Sequence, residues 1–218
     1  MSALTWINSD AFVAFGKGIK WSDMVGNTMG LIALALGWRR SIWTWPAQLL
    51  SGAILFTTFA FGGMSGMAGK QAVVIIVAVW GWAMWNRGRQ KAQDGTLAVR
   101  FATWRERGFL LGAAALGTLA VGGLFTVFPN LSWAPWPDAY IFVGTLVAMY
   151  AQAKGMVEFW FAWLLVDVVG VPLAFSTGYA FSGLVYVVYF ALVVWGAYDW
   201  YQRSRTTTTA PALEGATA

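Results

Sequence analysis

Seven apolar stretches, each near the ~20 residues a helix needs to cross a bilayer, divide this 218-residue chain. They run about Trp21–Trp38, Ile42–Gly62, Lys70–Trp85, Gly108–Phe128, Asp138–Ala153, Val157–Ser176 and Tyr179–Trp200. Only 11% of the residues are charged, against about 25% in a water-soluble domain. The pattern predicts an all-α integral membrane protein with seven transmembrane helices. The third and fifth stretches are short and are expected to end on polar residues buried in protein. Residues 1–20 lack a basic start and a long apolar run, so they read as an extracellular segment and not a cleavable signal peptide. The tail 201–218 is polar and low in complexity, the signature of disorder.

Basic residues set the orientation. Arg39, Arg40, Arg87, Arg89, Lys91, Arg100, Arg105, Arg107, Lys154, Arg203 and Arg205 fall on one side, eleven of the fourteen Lys and Arg. Lys17, Lys20 and Lys70 fall on the other. Positive charge gathers in the cytoplasm, which puts the N-terminus outside and the C-terminus inside a cell membrane. The loop 86–107 carries six of these charges, scattered among Gln, Asp and Gly. That dispersion marks a topology signal, not a nucleic-acid surface.

The chain has no His and no Cys. Imidazole bases, thiolate nucleophiles, haem ligation and zinc–thiolate sites are therefore absent. Carboxylates alone remain for acid–base work, and Asp167 is the one deep in a span. An enzyme is not expected, nor is a cofactor. No phosphate-binding loop occurs, and the last span carries no Lys to tether retinal.

Internal repetition gives the architecture. Val25-Gly26-Asn27 matches Val143-Gly144-Thr145 at an offset of 118, which also sets Trp45 on Trp163 and Gly52 on Gly170. After a three-residue contraction, Val79-Trp80-Gly81 falls on Val194-Trp195-Gly196 and Trp85 on Trp200. Residues 21–85 and 138–200 thus read as two three-helix repeats. Span 108–128 has no counterpart and serves as a linker helix. Three crossings would invert a second copy, and one extra crossing restores its direction. The result is a parallel 3+1+3 arrangement of the kind found in transporters, with a site between the halves.

Candidate site residues follow from that division. Most of the fifteen Trp suit the interfacial belt. The cluster Trp43, Trp45 and Gln48, with Trp160, Trp163 and Asp167 in the other half, offers flat aromatic walls beside hydrogen-bonding groups. Such walls suit a planar heteroaromatic ligand. Asp167 can pair with a backbone donor, accept from a ligand hydroxyl or relay a proton. Asn27 and Gln71 are further buried amides that either glue helices or meet ligand. Glu158, four residues from Lys154, reads as half of an interfacial ion pair. A purely structural membrane subunit would carry the same glue without responding to any ligand.

The run Ile42-Trp43-Thr44-Trp45-Pro46, the ending Gln71…Trp80-Gly81-Trp82…Trp85 and Trp160-x-x-Trp163-x-x-x-Asp167 resemble PnuC-type vitamin transporters. The resemblance covers nearly all of Met24–Trp200. It implies a SWEET-like 3+1+3 fold, a homotrimer, and facilitated diffusion of a vitamin that is trapped by phosphorylation in the cytoplasm. Trp21-Ser22-Asp23-Met24, Gly37–Trp45 and Phe101–Arg107 resemble the riboflavin carriers of actinobacteria within that family. Nicotinamide riboside members carry Asn beside the paired tryptophans, where this chain has Thr44 and Phe159. The resemblance thus implies riboflavin as cargo, with nicotinamide riboside or another vitamin as the alternative.

Overall fold

The computed structural model describes residues 9–14, 17–61, 65–91, 99–132, 134–176 and 187–203. They form seven helices: α1 (Trp21–Trp38), α2 (Thr44–Phe61), α3 (Ser65–Lys91), α4 (Trp104–Val127), α5 (Pro135–Ala153), α6 (Glu158–Ser176) and α7 (187–203). Lipid offers no partner for a free N–H or C=O, so each crossing closes its own backbone bonds as a helix. The outer face of α4 exposes Phe109, Leu111, Leu116, Leu119 and Leu124. An apolar surface of that extent suits acyl chains and not water.

Three expectations need correction. The third span is not short: α3 has 27 residues and continues through Asn86–Lys91. Backbone bonding, unlike hydropathy, does not stop at the first polar side chain. Residues 104–107 are likewise helical, so the loop 86–107 is helical at both ends. Lastly, the chain is not wholly α. Strands β1 (Asp10–Ala14) and β2 (Lys17–Lys20) form an antiparallel hairpin leading into α1. Two strands of five and four residues are too brief to leave a clear alternating pattern. Of the predicted tail, 201–203 belong to α7 and 204–218 lie outside the described residues.

A capping box starts α4. Thr103 Oγ1 accepts from Glu106 N at 3.3 Å, and Thr103 N donates to Glu106 Oε2 at 2.8 Å. Arg100 grips the same carboxylate at 2.7 and 2.8 Å, and its hydrogen bonds bring the Glu106 carboxyl down to about 2. The preceding strand-like segment docks on the α5–α6 turn, with Arg100 N donating to Gly155 O at 3.0 Å. Glu158 closes the joint, but its partner is Arg107 and not Lys154. Arg107 Nη2 and Nε reach Glu158 Oε1 at 2.8 and 2.9 Å, while Ala102 N donates to Oε2 at 2.9 Å. Lys154 instead lies over the Tyr150 ring. Glu158→Ala strands three donors at this joint and is expected to cost about 1–2 kcal/mol. A melting curve in detergent reads that loss, and an unchanged midpoint contradicts it.

The α1–α2 and α5–α6 connections share one hydrogen-bonded turn. Ser41 N donates to Leu36 O and Met156 N to Ala151 O, both at 2.9 Å. Arg40 N meets Gly37 O at 3.0 Å, and Gly155 N meets Gln152 O at 2.9 Å. Arg40 and Gly155 take the left-handed conformation, with φ of 55° and 66°, as helix C-caps commonly require. Every matched pair is 115 residues apart. Trp45 is therefore equivalent to Trp160 and not to Trp163. The error of three residues is close to one helical turn, so either register keeps the apolar faces in phase.

Both tryptophans do the same work. Trp45 and Trp160 have no exposed surface. Trp45 presses its ring onto Gly81 of α3 and Trp160 onto Gly196 of α7, where a Cβ would overlap the ring. Trp85 crosses Trp45 edge-on at 5.5 Å, and Trp200 crosses Trp160 at 5.9 Å. The crossing indoles then tie α3 to α5 and α7 to α1. Trp85 Nε1 donates to Gln152 O at 2.9 Å, and Trp200 Nε1 donates to Trp38 O at 3.0 Å. Along α3 and α5, Lys70 pairs with Asp138 at 3.2 Å and Trp80 stacks on Tyr150 at 5.6 Å. These contacts follow one another in chain order, so α3 and α5 run in the same direction.

Candidate binding cavity

A cavity of about 170 Å³ lies among six of the helices. Small residues open it: Gly30 and Ala33 on α1, and Ser51 and Gly52 on α2. At Gly30 a Cβ would collide with the Tyr189 hydroxyl, so the glycine admits that ring from α7. Leu34 and Val74 add apolar wall, and Thr44, Gln48, Gln71, Thr145, Gln152 and Trp163 supply polar atoms.

Most hydroxyls there are committed to helix backbone. Thr44 Oγ1 donates to Ala33 O at 2.7 Å, Ser51 Oγ to Gly26 O at 2.9 Å, and Thr145 Oγ1 to Ile141 O at 2.8 Å. Two other groups are not. Gln48 Oε1 and Trp163 Nε1 are buried without a hydrogen-bond partner among the described residues. These side chains are 115 residues apart, so the repeated turn puts an acceptor and a donor at equivalent places. Buried polar atoms rarely stay unpaired, and a ligand with both functions would satisfy them.

The family model described as Nicotinamide mononucleotide transporter matches residues 20–202. The chain belongs to this family. The resemblance to PnuC-type transporters is borne out. A curated member, the riboflavin/roseoflavin transporter RibM of Streptomyces davaonensis, is 66% identical over 99% of this chain and 100% of its own length. The nicotinamide riboside transporter PnuC of Escherichia coli is 22% identical over 88% of this chain and 90% of its own. A crystal structure of the vitamin B3 transporter PnuC superposes with a TM-score of 0.68 at 19% identity, covering 85% of this chain and 83% of that one. That likeness establishes a PnuC-like fold.

Within this transporter fold the expected site residues part company. Gln48, Gln71 and Trp163 line the cavity. Trp45 and Trp160 do not, because their rings are spent on Gly81 and Gly196. Trp43 precedes the first turn of α2 and is 66% exposed on the outside. Asp167 is 3% exposed, one turn from Trp163, and its Oδ2 has no partner among the described residues. It is absent from the cavity wall. Asn27 lies in α1, but its side chain is outside the described set.

Sequence reasoning passed over Thr44, Ser51, Thr145, Gln152 and Tyr189 as site residues. A signal for the first two existed: Thr44, Gln48 and Ser51 repeat at helical spacing, a polar stripe on an otherwise apolar helix. Tyr189 gave none, since an aromatic in an apolar span reads as core.

Proposed function

We propose that this chain carries riboflavin, and close flavin analogues, across the bacterial plasma membrane. The observation that carries the reading is the 66% identity, end to end, with a riboflavin/roseoflavin transporter. The cavity supports it. Trp163 offers a flat face for an isoalloxazine ring, while Gln48 and Gln71 offer amides to its carbonyls and to hydroxyl donors. Asp167 would take ribityl hydroxyls from one turn away. Trp43, Trp45, Trp160 and Asn27 remain candidates for contact once the cavity opens.

The transport unit is two parallel three-helix sets, α1–α3 and α5–α7, with α4 as linker. The repeated turn, the paired tryptophan–glycine contacts and the common direction of α3 and α5 favour that division. Rocking of one set against the other would expose the cavity alternately. The distribution of Lys and Arg favours an outside N-terminus and a cytoplasmic C-terminus. Facilitated diffusion followed by phosphorylation in the cytoplasm is the mode the resemblance implies, and a homotrimer is the implied assembly.

Titration of the purified protein with riboflavin, nicotinamide riboside and thiamine tests the cargo. Riboflavin at micromolar concentration is expected to quench the tryptophan emission and raise the melting temperature. Quenching and stabilisation by nicotinamide riboside, with neither from riboflavin, overturns the reading.

A further inference from the structure

Gln152 sits in the last turn of α5, is 2% exposed and forms part of the cavity wall. Both of its ends are held. Its backbone carbonyl accepts from Trp85 Nε1 at 2.9 Å, and its side-chain Nε2 lies 3.3 Å from Thr44 Oγ1. Gly37 makes room, since a Cβ there would come within 2.9 Å of that nitrogen.

Proton counting fixes the amide. A threonine hydroxyl has one proton, and Thr44 gives it to Ala33 O at 2.7 Å. Thr44 Oγ1 can then only accept, so the Gln152 NH₂ must face it. The Gln152 carbonyl oxygen is left over and takes no hydrogen bond from a described residue. An acceptor of fixed polarity on the cavity wall asks for a donor.

We infer that Gln152, positioned by Thr44, is a specificity residue that accepts a hydrogen bond from a ring N–H of the cargo. This rests on the riboflavin reading. The oxidised flavin ring has one N–H, the imide between two carbonyls, and Gln152 is its acceptor. Thr44 acts through Gln152 by holding its amide in one orientation.

Binding of riboflavin, 3-methylriboflavin and lumiflavin, followed by tryptophan quenching, tests this. The first methylated analogue lacks the imide proton, and lumiflavin keeps it but lacks the ribityl chain. The wild-type protein is expected to bind 3-methylriboflavin about tenfold or more weaker than riboflavin. Gln152→Leu should weaken riboflavin and lumiflavin alike and bring riboflavin and 3-methylriboflavin to within about threefold. Thr44→Val should lose the discrimination as well, and Thr44→Ser should keep it. If Gln152→Leu does not elute as folded protein, the Thr44 pair decides. Equal wild-type binding of the two riboflavins, or discrimination that persists in Gln152→Leu or Thr44→Val, overturns the inference. Dependence on Gln152 for riboflavin but not lumiflavin overturns it too, by moving the contact to the ribityl chain. If the wild type binds no flavin at all, the cargo reading itself fails.

Discussion

Gly81→Ala is expected to leave little folded protein, and Gly196→Ala the same. The added methyl would occupy space held by the ring of Trp45 or Trp160, and neither ring can retreat. Trp45 is wholly buried and braced by Trp85 at an interplanar angle of 88°. Trp85 is itself fastened to the Gln152 carbonyl. Overpacking a core costs about 1–3 kcal/mol and sometimes more; with no neighbour able to give, the upper end applies. Gly69→Ala and Gly108→Ala meet nothing within 4 Å and serve as controls. Fluorescence-detected size exclusion after a heating series measures the difference. A Gly81→Ala midpoint matching the controls would sink the argument. Adding Trp45→Phe to Gly81→Ala should restore part of the loss, because the smaller ring leaves room.

The second large effect concerns the cavity. Gln48→Leu is expected to lower riboflavin uptake tenfold or more, since a buried acceptor matched to the cargo is worth about 1–3 kcal/mol. Trp163→Phe keeps a stacking face but loses the indole N–H, and should cost less than Trp163→Ala, which loses both. Uptake into whole cells at matched expression reads these variants. If Gln48→Leu and Trp163→Ala both transport at the wild-type rate, the cavity is not the cargo's route. Asp167→Asn separates two roles for a carboxylate one turn away. Lower uptake with unchanged melting means contact with cargo. Normal uptake with lower melting means a tie between helices.

The spans were legible because hydropathy over ~20 residues integrates many side chains. Six of the seven helices agree with the expected windows to within six residues at each end, and α7 is described only from 187 onward. Register was not legible. A shift of three residues preserves the apolar face, and only the hydrogen-bonded turn at Arg40 and Gly155 breaks the degeneracy. The same shift explains why Trp45 and Trp163 looked like paired walls. In three dimensions the pairs are Trp45 with Trp160 and Gln48 with Trp163. The Glu158 partner was hidden for a different reason. Lys154 is four residues away, whereas Arg107 lies 51 residues back, and a one-dimensional scan favours the nearer charge. Gln71 was found because an amide is conspicuous in a span; Gln152, nearer a polar end, was not.

The two indole ties, Trp85 to Gln152 O and Trp200 to Trp38 O, flank the cavity at the end where Arg39, Arg40 and Arg87 emerge. Under the proposed rocking, parting α1–α3 from α5–α7 at that end would break both. Two neutral hydrogen bonds are worth about 2 kcal/mol net, a contribution of roughly 30-fold to the ratio of shut to parted forms. Thermal motion crosses a gap of that size unaided. A latch so light would suit the facilitated diffusion proposed above, in which a concentration difference does the moving.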